Sequence, residues 1–252
     1  MVPGLMSVTL RGAAPAEVIE LAQTAGLGLI NWTGDAHVPP SDLAGARRIG
    51  RATRASGLTI EGYGSYWRAD GPFAPWLRAA VTLGAPRIRV WAGTLGSADA
   101  GAGARSGVAR AIARAADSAA GEGIELALEF HPGTCNDSPA AWRWLAAEVS
   151  ALRHAGGPVL TYWQPNPGQG AHEALSDLAA LAGPLAGCHV FAWDEVSNRF
   201  PLWDRRDLWR AVFAGLPEST AALLEFVRGD DHVQLLEDAA VLRRLVQTLH
   251  DQ

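Results

Sequence analysis

The chain has 252 residues, 48% of them hydrophobic and 19% charged, with a formal net charge of −5 and a sequence pI of about 5.8. That composition supplies ample core material for a soluble globular protein, and its acidic balance argues against nucleic acid, whose phosphates need a concentrated basic face. No apolar run reaches the ~18–20 residues of a membrane span, no basic and apolar leader opens the chain, and Cys135 and Cys188 imply no disulfide framework. A cytoplasmic protein is expected, with no nucleic-acid or membrane partner and, if it associates at all, a homodimer.

Short apolar segments alternate with helical ones along the whole chain. Met6–Leu10 reads as the first strand, followed by a helix opened by Pro15 and closed by Gly26. Gly28–Trp32 is the second strand, and its loop Thr33–Pro40 carries His37. Ser41 or Asp42 caps a helix over Leu43–Ala55, which stops at Gly57. The third strand, Leu58–Gly62, runs into Tyr63-Gly64-Ser65-Tyr66-Trp67, and a helix over Pro75–Leu83 ends at Gly84.

Arg87–Ala92 is the fourth strand, Gly93–Ser106 a small-residue loop, and Val108–Gly121 a long helix. The fifth strand is the apolar run that ends in Leu126-Ala127-Leu128-Glu129-Phe130-His131 before Pro132-Gly133 breaks it. A strand buried on both faces shows such a run rather than an alternation. Pro139 opens the next helix, to about Ala151; Val159–Trp163 is the sixth strand, and His172–Ala182 its helix. Cys188–Ala192 is the seventh strand, Leu208–Ala214 a helix, Ala222–Val227 the eighth strand and Val233–Leu249 the closing helix.

Eight strands, each followed by a helix and none separated by a linker, predict one α/β domain over residues 1–252, a single (β/α)8 TIM barrel. A doubly wound sheet would show G-x-G-x-x-G after its first strand, and Thr9–Ala14 has none. In a barrel the C-terminal strand ends converge on one pocket. Four of those ends carry Glu129, Gln164, His189 and Glu225. Two carboxylates, an amide oxygen and an imidazole make an oxygen-rich shell suited to Mn²⁺ or Mg²⁺, with Co²⁺ or Zn²⁺ admitted through the histidine. A lone histidine in an apolar strand is more often a hydrogen-bonded core residue, and Trp-Gln-Pro at Gln164 reads equally as a turn. Glu225 inside Leu-Leu-Glu-Phe-Val is harder to explain without a partner, because an unpaired buried carboxylate costs several kcal/mol.

These residues, with Leu-Glu-Phe-His at the fifth strand, His-Val-Phe at the seventh and Leu-Leu-Glu-Phe at the eighth, resemble the sugar phosphate isomerase/epimerase superfamily, the xylose-isomerase-like TIM barrels. The resemblance implies a divalent metal held by Glu129, His189 and Glu225, with an accompanying histidine at His131. Strand six departs from the family pattern: Gln164 stands where an aspartate is usual and Pro167 where a histidine follows. The implied activity is isomerisation or epimerisation of a small carbohydrate, phosphorylated or not. Mn²⁺ would template the substrate while Glu129 and Glu225 exchange a proton beside a carbonyl, and His131 would orient substrate or shuttle a proton. His37, Tyr66, Trp91, Trp163 and Trp193 would line a sugar-sized pocket, and Arg89, like Arg11, would offer an anion contact. An inosose-type dehydratase on the same site and a non-catalytic sugar-binding barrel with a degenerate metal site are the alternatives.

Overall fold

The structure, a computed structural model, describes residues 1–181 and 183–247. Eight parallel strands close on themselves in chain order: β1 (Val2–Met6), β2 (Leu29–Thr33), β3 (Thr59–Gly64), β4 (Arg87–Val90), β5 (Glu125–Glu129), β6 (Leu160–Trp163), β7 (Leu185–Val190) and β8 (Ala221–Leu224). The last pairs with the first, Val2 opposite Ala221 and Gly4 opposite Leu223. Eight helices alternate with them: α1 (Pro15–Thr24), α2 (Leu43–Ala55), α3 (Ala74–Leu83), α4 (Ala102–Gly121), α5 (Pro139–Leu152), α6 (Ala171–Ala180), α7 (Arg206–Ala214) and α8 (His232–Gln247). This is a (β/α)8 TIM barrel.

Local chemistry sets the helix ends. The Asp42 side chain accepts a hydrogen bond from the Gly45 N–H at 2.8 Å at the start of α2, Ser138 and Pro139 open α5, and Gly84 closes α3 in the left-handed region at φ 77°. The strand side chains divide into two cores. One lies between barrel and helices and includes the fully buried Trp32, Trp142, Trp163 and Trp209. The other fills the barrel lumen with Met6, Val8, Ala127, Leu160, Tyr162, Ala186, Ala221 and Leu223.

A polar network stands inside the barrel. Glu61 accepts hydrogen bonds from Asn31 Nδ2 at 2.7 Å, from the Tyr162 hydroxyl at 2.8 Å and from Arg87 Nη1 at 2.8 Å. Two glycines of β3 make room for these long side chains. A Cβ at Gly62 would stand 2.9 Å from Asn31 Nδ2 and from the Tyr162 hydroxyl, and one at Gly64 would stand 2.8 Å from Arg89 Nη2.

Three sequence expectations shift. The first strand is β1, ahead of Met6–Leu10, whose residues Ser7–Leu10 form a 3-10 turn instead. Gly4 explains this: its missing side chain lets β1 lie against Leu29, 2.7 Å from where a Cβ would be. The seventh strand starts at Leu185 rather than Cys188, because its small residues Ala186 and Gly187 face the crowded lumen and the β8 backbone. Helix α4 begins at Ala102, six residues before the expected Val108. Ala182 and Leu249, placed in helices by the sequence, lie outside the described residues.

Candidate active site

At the C-terminal mouth, β4 to β8 bring their polar ends together. Glu129 ends β5 and is only 3% exposed. Its Oε2 receives the Arg89 guanidinium of β4 in a buried ion pair and the Trp91 indole N–H at 2.6 Å. Its Oε1 accepts from Gln164 Nε2 at 3.2 Å. Glu225 follows β8, 6% exposed, with its own N–H tied to Val190 O at 2.9 Å.

His189 of β7 sits at the centre. Its Nδ1 lies 3.3 Å from Gln164 Oε1, 3.4 Å from Glu225 Oε2 and 3.7 Å from Glu129 Oε1. All three neighbours are acceptors, so Nδ1 carries a proton here; Nε2 is buried with no hydrogen-bond partner among the described residues. Burial acts to lower the His189 pKa, but the charges of Glu225 and Glu129 prevail and raise it above the ordinary value. Burial would likewise raise Glu129, and Arg89, then His189 and His131, hold it below the usual carboxylate range. The site is thus a pair of glutamates joined through one imidazole.

The four residues read from the sequence as a metal shell therefore do meet. Measured from His189 Nδ1, Gln164 and Glu225 stand within, and Glu129 at 3.7 Å just beyond, the roughly 3.0–3.5 Å that separates neighbours around one ion when bonds are about 2.1 Å. The oxygen-rich mixture fits a hard or borderline divalent cation. Among the described residues, however, no three His, Cys, Asp or Glu side chains form a ready-made metal-holding group. The donors converge on His189 rather than enclosing a cage, and ligation by Nδ1 would require its proton to leave.

The other expected site residues divide. Trp91 roofs Glu129, with Arg68 Cζ 3.6 Å from its ring centroid and the His131 ring stacked at 4.5 Å. His131 thereby stands on Trp91 instead of touching either glutamate, and its Nδ1 bonds Pro132 O at 2.6 Å. Tyr66 packs near Trp91 at 5.8 Å and accepts from Arg11 Nη2 at 3.4 Å. Trp193 lies over Phe226 at 5.5 Å, beside Arg199.

Two residues lie elsewhere. His37 is buried, with its ring nitrogens on Ser7 Oγ at 3.0 Å and Ala13 O at 3.2 Å, so it ties the loops after β1 and β2 together and does not hang over the rim. Burial pushes its pKa down. Trp163 points outward from β6 against Trp209 in the helix-facing core, because the residue after it, Gln164, takes the inward position.

Sequence reasoning passed over Arg68 and Asn31. Arg68 follows the third strand in Tyr-Trp-Arg, a segment read only for its aromatics, and Asn31 sits one residue before Trp32 in β2. Thr9 was also missed: its hydroxyl donates to Leu224 O at 3.4 Å and accepts from Phe226 N at 3.0 Å, clamping the backbone on both sides of Glu225. Phe226 itself is held at φ 52°, a left-handed conformation that costs a bulky residue about 1–2 kcal/mol.

No family model and no curated protein matches the chain. Solved structures do. The probable 3-DHS dehydratase AsbF of Bacillus anthracis superposes with a TM-score of 0.73 at 16% identity, covering 96% of this chain and 99% of that one. An L-ribulose 3-epimerase gives 0.69 at 14% identity, covering 100% and 96%. A xylose isomerase-like TIM barrel protein of Mycobacterium smegmatis, solved in complex with magnesium, gives 0.62 at 15% identity, covering 95% and 91%. At such identities the likeness is one of fold, and the chain has the fold of the xylose isomerase-like TIM barrels.

Proposed function

We propose that the protein is a sugar isomerase or epimerase that moves a proton on the carbon beside a carbonyl, with Glu129 and Glu225 as its two proton-handling groups. The observation that carries this reading is that two buried carboxylates from different strands meet on the single buried imidazole of His189 at the barrel mouth. A pair of carboxylates near one carbon can remove a proton from one side and return it to the other.

Their surroundings divide the work. Both oxygens of Glu129 are occupied by Arg89, Trp91 and Gln164, which fixes its position and keeps it ionised. Glu225 has His189 as its one described side-chain partner and is freer to take the proton first. Without an ion, His189 Nδ1 lies between the two carboxylates and holds them near one point. Trp91 donates its indole N–H to Glu129 and fixes that carboxylate at the mouth. Glu129, Gln164, His189 and Glu225 would hold a divalent ion, Mn²⁺ or Mg²⁺ by their oxygen-rich chemistry, and such an ion supplies a Lewis acid for the substrate oxygens. The substrate is a small carbohydrate ketone.

The test is incubation of ketoses with the purified protein in D₂O, with mass and NMR analysis of recovered sugar, alongside elemental analysis of the wild type and of Glu225→Gln. Deuterium at the carbon beside the carbonyl, at least 100-fold slower in Glu225→Gln, is the expected result. About one divalent ion per chain, weakened in the same variant, is expected with it. A product lighter by one water would replace the isomerase with a dehydratase. No exchange with any ketose in metal-supplemented buffer would overturn the reading.

A further inference from the structure

We infer that the substrate is a hydroxylated carboxylic acid rather than a neutral sugar, its carboxylate seated on Arg89 and Arg68 and an adjacent hydroxyl on Asn31. The inference rests on the proposed function for the location of the site and names the substrate class that the site accepts.

Arg89 is 2% exposed and uses Nη1 for Glu129. Its Nε and Nη2 are buried with no partner among the described residues. Those two N–H groups form one edge of the guanidinium plane, the edge that receives the two oxygens of a carboxylate in parallel. Leaving two charged donors unmatched in a dry site is costly, and native proteins rarely do so without a ligand or water to meet them. A third unmatched atom stands beside them: Asn31 Oδ1, an acceptor, is also buried without a partner among the described residues. The missing side chain of Gly64 joins them, since a Cβ there would lie 2.8 Å from Arg89 Nη2 and 3.2 Å from Asn31 Oδ1. Two donors for a carboxylate and an acceptor for a neighbouring hydroxyl describe a 2-hydroxy acid.

Charge points the same way. Arg11 and Arg199, two further arginines after barrel strands, are paired with Asp35 and Asp230. Arg68 has no hydrogen bond or ion pair among the described residues and lies on the Trp91 ring whose N–H holds Glu129. Glu129 and Glu225 are balanced by Arg89 and Arg68, so an entering anion meets no net negative charge, and two guanidinium groups face it.

The experiment is titration calorimetry of the protein, as purified, with D-gluconate, with D-glucitol as its neutral counterpart and with inorganic phosphate. The same titrations on Arg68→Met and Arg89→Lys follow. None of these probes has a ketone, so binding is read without turnover. Gluconate is expected to bind at least 10-fold tighter than glucitol, to lose about 10-fold in Arg68→Met while glucitol is unchanged, and to lose more in Arg89→Lys, which keeps the charge but not the planar edge. Gluconate binding no tighter than glucitol, including failure of both to bind, overturns the inference. Phosphate binding tighter than gluconate overturns the carboxylate assignment. Deuterium exchange into a neutral ketose alongside either result would leave the proposed function standing and this inference refuted.

Discussion

Removing Arg89 should cost this protein more than any comparable change at the mouth, and the cost should depend on Glu129. Both side chains are 3% exposed. In Arg89→Met the Glu129 carboxylate loses its guanidinium partner and keeps the Trp91 and Gln164 donors and the nearby His189 imidazole. Breaking a buried pair from one side costs about 3–5 kcal/mol, because the remaining charge stays desolvated. For a chain of this size roughly 2–4 °C accompanies each kcal/mol, so a fall in Tm of roughly 6–20 °C is expected. Glu129→Gln in the same background removes the stranded charge, so the double variant should recover at least about 2 kcal/mol relative to the sum of the single changes. The penalty also has a pH signature. Without Arg89 the Glu129 pKa in the folded state rises above its unfolded value, so the deficit is fully present at high pH and shrinks as pH falls through that raised value. Thermal unfolding of the four proteins at pH 5 and pH 8 is the assay. A cost of Arg89→Met below about 1 kcal/mol at pH 8, or strict additivity with Glu129→Gln, would refute the claim that this pair organises the mouth.

Gly64→Ala should displace the Arg89 guanidinium, whose Nη2 would lie 2.8 Å from the new methyl, and lower stability by about 1–3 kcal/mol as overpacking does; unchanged unfolding and unchanged gluconate binding would show that the gap is dispensable. Gln164→Asp places a third carboxylate beside Glu129, whose Oε1 accepts from Gln164 Nε2 at 3.2 Å in the wild type. It should raise Mn²⁺ affinity at least 10-fold while destabilising the metal-free protein, and equal affinity by calorimetry would mean that the residue does not face the ion. Asp238→Asn addresses a carboxyl that burial raises to about 6, while Leu202 N–H and Gln234 Nε2 hydrogen bond it at 2.8 and 2.9 Å. An acid with a raised folded pKa loses stability as pH climbs from about 4 to 6, by roughly 1–2 kcal/mol here once partial solvation is allowed for. The wild type should therefore be more stable near pH 4.5 than its other titrations alone would make it, and Asp238→Asn should lack that component; parallel stability profiles of the two proteins would refute it.

The strand-and-helix alternation was legible in the sequence because each element is punctuated locally: Pro15 and Pro139 at helix starts, Asp42 as a cap, Gly84 at a left-handed stop. Element β1 was misplaced because Val-Pro-Gly-Leu-Met carries glycine and proline, which count against a strand, and only its neighbours Leu29 and Ala221 explain why they sit there. The convergence of Glu129, Gln164, His189 and Glu225 followed from one rule, that barrel strands present their C-terminal ends to a common mouth. Side-chain direction did not follow. Trp163 and Gln164 are consecutive, one outward and one inward, and which is which depends on the register of β6 against β5 and β7. His37 was assigned to the rim by its loop, whereas Ser7 and Ala13, distant in sequence, decide where its ring goes. Arg68 and Asn31 acquire meaning only beside Arg89 and the gap at Gly64.

The left-handed turn at Phe226 has a consequence for how this chain can change. Glycine at 226 would relieve the backbone and asparagine would tolerate it, but either gives up the packing of the Phe226 ring against Trp193 and Arg199. The tight turn, with Thr9 bridging Leu224 and Phe226, is what ends the strand abruptly at Glu225. A relaxed turn would let that carboxylate wander relative to His189, and tenths of an ångström matter to proton transfer. Substitutions at 226 should therefore slow turnover even where the protein still folds.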